Sequence, residues 1–576
     1  RLWIYLGAVA LAGVVVVWAA LSPRIISRLW ILPPLSAALY IFRTLTKNTD
    51  SHSEVERIVG FYELGVLRLR GQWQGRGIGG EALRPANHPY ASDLDLFGKG
   101  SLFELLCTSR TGVGRATLAN WLLDPAKCEE VAERQAALAE LRDALALREY
   151  WASVGGRSED QAVASLRDWA DAPEIVFPFY ARVFAILLPL CLGIFSLLAG
   201  VGIFGHNWPL AVAVAAGLEA LLGVLLRRKA KLISADVIVP SFELELLEPL
   251  LVRFEELSFQ CSLLKSLKLQ LMDSSGRPSK HIRQLRLMAW LLNLRQLEYF
   301  ALLVSPILWG TNLAILIERW RRRNREGLSR WLHSLGQFEA LLCFARYHYE
   351  NPDHTFAILG QDSLPLFEAE GLGHPLLDER ACVRCDVQLA AERTQVMVVS
   401  GSNMSGKSTL LRSVGLNALL AMAGAPVRAV RLRMSPLQIG CSIAVHDSLL
   451  EGKSRFQAEV ERLTSILTIS HTNSLLFLLD EILGGTNSAD RLFGARAVIQ
   501  QLAANAAVGI VTTHDLALTE MAQAFERRAV NVHFEENYED GEMRFDYLMR
   551  PGTLTRTNGI NVMAALGLLP SPQKGS

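Results

Sequence analysis

The chain is poor in charge. Only 20% of its 576 residues are Asp, Glu, Lys or Arg, and 58 basic residues against 57 acidic leave a net charge of +1. No global basic field announces a nucleic-acid binder, and only a local basic face is left to consider. Cysteine is sparse too: eight residues scattered along the chain make no disulfide framework and favour a reduced compartment. Cys382 and Cys385 form a single Cys-x-x-Cys; no second pair follows to complete the four ligands of a structural zinc site.

What is abundant is apolar surface. Half the residues are hydrophobic and the mean hydropathy is +0.23, which implies a very large core or segments in lipid. The length predicts two to four domains.

Leu2 to Leu21 is an uncharged apolar run. At 1.5 Å per residue it reaches about 30 Å, enough to cross a bilayer core. A signal peptide is the competing reading, but Ser22-Pro23-Arg24 is not a small-x-small cleavage site. A weaker run, Leu29 to Phe42, is broken by Pro33-Pro34. Val183 to Phe204 and Trp208 to Leu226 form a second apolar pair, with Arg227-Arg228-Lys229 beyond it as a cytoplasmic anchor. These runs predict two transmembrane hairpins, and Glu219 inside the second is expected to face a partner helix. Phe300 to Ile317 is read as a buried helix, because basic clusters flank it on both sides.

Between and beyond the apolar pairs, helical periodicity covers Glu130 to Tyr150, Phe242 to Met272 and Leu328 to Tyr349. After residue 370 the pattern changes. Val396 to Val399, Leu475 to Leu479 and Val508 to Thr512 read as short strands alternating with helices, a parallel α/β sheet. The predicted organisation is 1–46 transmembrane hairpin, 47–96 helical linker, 97–176 and 230–370 helical core and levers, 177–229 second hairpin, and 371–576 an α/β P-loop ATPase domain.

The chemistry is concentrated there. Gly401-Ser402-Asn403-Met404-Ser405-Gly406-Lys407-Ser408 fits GxxxxGK[ST] between a strand and the helical stretch from Thr409. Backbone N–H groups of such a loop cradle phosphates at a helix N-terminus, Lys407 reaches the β- and γ-phosphates, and Ser408 ligates Mg²⁺. Asp480 and Glu481 end an apolar strand; Asp480 is expected to hold Mg²⁺ and Glu481 to polarise the attacking water. His514, after the next strand, is placed to sense the γ-phosphate.

Together these residues resemble the MutS family of DNA mismatch-recognition ATPases. The loop Gly401 to Ser408 is similar to its GPNMGGKS pattern, Asp447 to Phe456 with Glu459 to its D-x-L-x-x-G-x-S-x-F-x-x-E block, and Asp480-Glu481-Ile482 with Gly485-Thr486 and Asp490 to its DEIGRGT segment. Asn531-Val532-His533 and Tyr547 to Val562 resemble its C-terminal strand and dimer-contact segment. Gly100 to Arg115, Trp121 to Pro125 and Arg134-Gln135 resemble the opening of its core domain. The resemblance implies ATP with Mg²⁺, a homodimer in which Ser454 completes the opposite subunit's ATP site, and His374, of a His-Pro pair, near the base. It also raises duplex DNA as a partner, with Arg319 to Arg330 as a candidate patch.

Departures accompany the likeness. Phe61-Tyr62-Glu63 matches the family's mismatch-wedging tripeptide but lies in a helical stretch, and no room precedes residue 97 for the mismatch-binding and connector domains. The chain is therefore expected to be a multi-pass cell-membrane branch of the family, with its ATPase domain in the cytoplasm. Two other readings share the motifs: an ATP-controlled membrane scaffold that ignores DNA, and an ABC-type transporter subunit. The second lacks the Leu-Ser-Gly-Gly-Gln signature at Gly452-Lys453-Ser454.

Overall fold

The computed structural model describes residues 32–155, 166–200, 208–238, 241–272, 276–294, 308–360, 364–402, 405–443, 455–484, 486–515, 517–520, 528–539 and 542–553. Two compact units are distinguished, Arg1–Glu63 with Glu149–Gly155, and Leu64–Arg148 with Gly156–Ser576. In the first, Arg57 Nε donates to the Ser153 carbonyl at 2.6 Å and the Tyr62 hydroxyl to Glu149 at 2.5 Å. Phe61-Tyr62-Glu63 lies on a helix, as its sequence context predicts.

The first half of the chain is helical: α1 (Leu32–Leu69), α2 (Leu102–Leu106), α3 (Gly112–Leu123), α4 (Cys128–Leu141), α5 (Leu145–Ser153), α6 (Leu166–Asp171), α7 (Phe179–Gly200), α8 (Trp208–Ile238), α9 (Ser241–Glu256), α10 (Ser262–Leu271), α11 (Pro278–Asn293) and α12 (Trp309–Glu350). Local chemistry sets several boundaries. Ser101 and Thr111 cap α2 and α3 by accepting from Glu104 N and Gly114 N, and Pro278 opens α11, where its missing N–H is not needed. The 42-residue α12 buries Leu328, Trp331, Leu335, Phe338 and Leu342, the three-and-four spacing of a core-facing stripe. Phe338 stacks on Phe254 of α9 with ring centroids 4.2 Å apart. Of the third apolar run, 308–317 are described; Leu308 caps this buried helix and Trp309 to Ile317 open it.

The two transmembrane hairpins, and the multi-pass membrane location drawn from them, are overturned. Among the described residues no helix is long and apolar enough to cross a membrane. The second apolar pair forms α7 and α8, which pack on each other and on α12. Pro189 interrupts the hydrogen bonding of α7, and α8 continues through Arg227-Arg228-Lys229 to Ile238. Ala181, Ala185, Leu222, Leu226 and Ala230 are buried, while Ile186, Leu190, Leu218 and Leu221 remain exposed. Glu219 is buried among these helices, and burial pushes its carboxyl pKa up. Helix packing thus buries one face of the pair, and the other keeps apolar side chains exposed. Of the first hairpin, Leu2 to Leu21 lies outside the described residues, and 32–46 begin the long α1, which runs on through charged turns.

The second half carries two sheets. A four-stranded sheet has the order β1 (Ile358–Leu359), β5 (Arg431–Met434), β2 (Leu366–Leu372), β3 (Cys385–Ala390). A six-stranded sheet runs β10 (Glu542–Pro551), β9 (Ala529–Glu539), β4 (Val396–Ser400), β8 (Val508–Thr513), β7 (Leu475–Asp480), β6 (Gln438–Ser442). Its strands are parallel except β10. β4 and β8 are buried at every residue and β7 at all but its last, as expected where helices cover both faces of a parallel sheet. Those helices include α13 (Lys407–Ala423), α14 (Arg455–Thr472) and α15 (Ser488–Ala504). α13 ends at Gly424, φ +87°. There Arg134 of α4, lying over the Trp121 ring, donates to the Ala423 carbonyl at 3.1 Å, a cation at the negative end of the helix dipole.

Candidate nucleotide site

Register brings the motif residues to one edge of the six-stranded sheet. Ser400 of β4 pairs with Thr513 of β8, and Thr512 of β8 with Asp480 of β7. The phosphate loop, the carboxylate pair and His514 therefore leave the carboxyl ends of neighbouring strands, where open α/β sheets bind ligands. Gly406 caps α13 with φ +104°, a left-handed conformation suited to glycine.

The side chains converge. Lys407 is buried; its Nζ donates to the carbonyls of Gly401 and Ser402, both at 2.9 Å, and lies 3.7 Å from Glu481 Oε1. Burial lowers its pKa, opposed by Glu481 and Asp480. Ser408 Oγ donates to Asp480 Oδ2 at 2.6 Å, and Thr512 Oγ1 donates to the other oxygen of the same carboxylate. His514 Nδ1 stands 3.4 Å from Glu481 Oε1. Glu481 has φ +46° and Leu483 φ +58°, uncommon for side-chain-bearing residues and concentrated where the chain turns out of the carboxylate strand. The Leu483 N–H is held by buried Glu459 of α14.

The pattern suits a triphosphate and a hard cation. Among the described residues the buried hydroxyls of Ser402 and Ser405 in the phosphate loop find no hydrogen-bond partner, which suits a loop built to meet acceptor oxygens. Ser408 and Asp480 juxtapose a hydroxyl and a carboxylate, the oxygen donors that Mg²⁺ prefers.

The remaining expected site residues are placed differently. The His374 ring Nδ1 accepts from Leu376 N–H at 3.2 Å, and the His374 backbone N–H donates to Cys382 Sγ at 3.3 Å. Burial, then Arg412 and Arg428, push its pKa down to about 4. Its described contacts are with its own loop and with Arg428, whose Nη1 donates to the His374 carbonyl at 2.8 Å. Thr409 follows Ser408 in the first turn of α13. Asn403, Met404 and Ser454 lie outside the described residues, as does Gly485. Two residues join the site without a site role in the sequence analysis. Thr512, two positions before His514, is one, although a hydroxyl at the end of a strand adjoining Asp480 is a usable signal. Tyr547, φ +55° at a bulge in β10, sets its ring against Gly406, where an added Cβ would meet Cδ1 at 3.2 Å. That contact joins residues 141 positions apart and left no local trace.

Comparison with known proteins agrees with this geometry. The family model described as MutS domain V matches residues 397–573. The DNA mismatch repair protein MutS 2 of Haloarcula marismortui is 40% identical over 176 residues, 30% of this chain and 18% of that protein. MutS 2 of Halobacterium salinarum is 34% identical over 246 residues, 42% of this chain and 27% of its own. The DNA mismatch repair protein MutS of Thermus aquaticus is 36% identical over 198 residues, 34% and 23% respectively. The chain thus spans about a fifth to a quarter of the relatives it matches. A sheet edge bearing the phosphate loop, the Asp480-Glu481 pair and His514, coinciding with that match, means that the C-terminal region of this chain is the MutS ATPase domain.

Proposed function

We propose that the chain is a Mg²⁺-dependent ATPase that works as a dimeric, ATP-driven switch on duplex DNA. The observation that carries the reading is the convergence of Lys407, Ser408, Asp480, Glu481 and His514 around a loop with orphaned buried hydroxyls. ATP phosphates take over the Lys407 Nζ bonds now made to Gly401 and Ser402, with the loop amides of 401–408 and Thr409 behind them. Asn403 and Met404 belong to that loop, and His374 lies on the base side. Ser408 and Asp480 would hold Mg²⁺, which would supply charge neutralisation to the phosphates. Glu481 orients and polarises the attacking water, and His514, against the same carboxylate, reports the γ-phosphate to it. Ser454 completes the site of the other subunit. Hydrolysis then resets the long helices, of which α12 is the longest described.

DNA enters through the names of the relatives, DNA mismatch repair proteins, and through α12. Arg319, Arg322, Arg323, Arg325 and Arg330 are exposed along it. Arg321 is not part of that face: it is buried, bonded to Glu318 and to the carbonyls of Trp169 and Pro173.

The test is steady-state ATP hydrolysis by the full chain with no DNA, duplex DNA and mismatched DNA, beside Lys407→Ala. Hydrolysis that Lys407→Ala abolishes supports the ATPase assignment, and an unaffected Lys407→Ala sinks it. Stimulation by DNA that fades as salt is raised supports the DNA-bound switch. A DNA-blind ATPase would replace it with a scaffold whose pairing ATP controls.

A further inference from the structure

Glu481 and His514 stand on two separate turns, and one helix, α15, is bound to both. Its hold on the Glu481 turn is apolar. Leu483, two residues after Glu481, packs on Gly494 of α15, where an added Cβ would meet Leu483 Cδ1 at 2.6 Å. Ile482, Leu483, Ala495, Val511 and Leu518 share one buried cluster. The helix, the Glu481 turn and the end of β8 are therefore packed together.

The His514 turn is tied to the same helix by charge. Arg491, in the first turn of α15, donates through Nη2 to Asp515 Oδ2 at 2.9 Å. The other carboxylate oxygen, Oδ1, accepts from Ala517 N at 3.0 Å. Asp515 N donates to Thr513 Oγ1 at 2.9 Å, and the Asp515 carbonyl accepts from Leu518 N at 3.2 Å. Asp515 thus engages both carboxylate oxygens and grips the backbone on either side of His514. The imidazole itself is 53% exposed and meets Glu481 at 3.4 Å, so its place is set chiefly by the backbone that carries it. The Arg491 and Asp515 side chains are only 18% and 24% exposed, and removing one strands the other. The apolar cluster already anchors α15. What the ion pair adds is a hold on the exposed turn.

We propose that Arg491 and Asp515 are positioning residues for ATP hydrolysis, setting His514 against Glu481 within one subunit. The proposal rests on the reading of His514 as the group that reports the γ-phosphate, and the His514→Ala background separates the two. Asp515→Asn keeps the oxygen that accepts from Ala517 N–H and discards the charge facing Arg491. In the full chain it and Arg491→Gln should each lower kcat by roughly 10-fold, within the range that small misplacements of reacting groups produce. ADP binding should change by less than about 2-fold. The two substitutions together should lose no more than either alone, as for partners in one interaction. Arg491→Lys, which keeps the charge, should retain more activity than Arg491→Gln.

His514→Ala should lower kcat by itself, and Asp515→Asn added to it should change kcat by less than about 2-fold. A further 10-fold loss in that background would mean that the pair acts by another route, and overturns the proposal. Wild-type kcat in both single variants overturns it, and so does a loss of kcat matched by an equal loss of ADP binding. If His514→Ala hydrolyses ATP as wild type does, the γ-phosphate reading falls and takes the proposal with it. Should Arg491→Gln not fold, Asp515→Asn in the wild-type and His514→Ala backgrounds decides the question alone.

Discussion

Ser408 Oγ donates to Asp480 Oδ2 across 2.6 Å, tying the first turn of the phosphate-loop helix to the end of the carboxylate strand 72 residues later. The bond fixes two oxygen donors side by side and leaves Glu481 to face Lys407 and His514. The two carboxylates therefore have separable roles.

Separate substitutions should resolve those roles. Glu481→Gln keeps the shape of the side chain but removes its basicity. It should lower kcat by roughly 10²-fold or more while nucleotide binding survives. Ser408→Ala should instead move the magnesium dependence of hydrolysis to higher concentration, by at least about 10-fold. A magnesium titration of both variants checks this, and the same midpoint in Ser408→Ala as in wild type would count against it.

Thr512 should matter although no motif names it. Thr512→Val keeps the strand packing and removes the hydroxyl that donates to Asp480 Oδ1. With that carboxylate freed to rotate, kcat should fall by about 10-fold, the loss of one hydrogen bond to a charged group, with thermal stability nearly unchanged. A fall in melting temperature that accounts for the whole loss would make Thr512 merely structural.

Stability should fall in two separate pH windows. Burial, reinforced by nearby arginines, pushes His354 and His374 down to about 4 in the fold, against about 6.5 unfolded. Both must shed protons to fold, so stability is complete above about pH 6.5 and is lost as pH falls from there to about 4. Glu350 is different. Burial would raise its pKa, but Arg346 and Arg68, the latter at 2.7 Å, outweigh burial and lower it. Its contribution is present above the unfolded value of about 4.3 and is lost as pH falls through the lower folded value. His354→Phe should flatten the upper window only. Glu350→Ala should cost about 3 kcal/mol at neutral pH by stranding the buried Arg346 and the half-buried Arg68. Unfolding midpoints measured across pH 3–8 decide both.

Gly114 should tolerate no side chain. Glu339, buried on α12, accepts from Ser109 Oγ at 2.7 Å and from the hydroxyl and N–H of Thr111, which caps α3. A Cβ at Gly114 would lie 2.0 Å from Glu339 Oε2 and 2.1 Å from Ser109 Oγ. Gly114→Ala should therefore destabilise the chain by about 1–3 kcal/mol, read from denaturant unfolding. A neutral result would mean that this junction yields without cost.

The sequence by itself determined where the phosphate loop and the carboxylate strand lie. Both are written in contiguous residues, a strand followed by Gly401 to Ser408 and a helix, and an apolar strand ending in Asp480. The strands around them were legible for the same reason, being short apolar runs between turns. Tertiary structure alone decided the rest. Hydropathy measures how strongly a side chain avoids water, not what replaces the water: the apolar runs of α7 and α8 predict a transmembrane hairpin, but no helix among the described residues is long and apolar enough to cross a membrane, and both helices pack on α12. The contacts of Glu339 and Tyr547 leave no local signature, because their partners stand 230 and 141 positions away. Only closure of the chain, bringing those distant groups within hydrogen-bond or van der Waals reach, gives them a role.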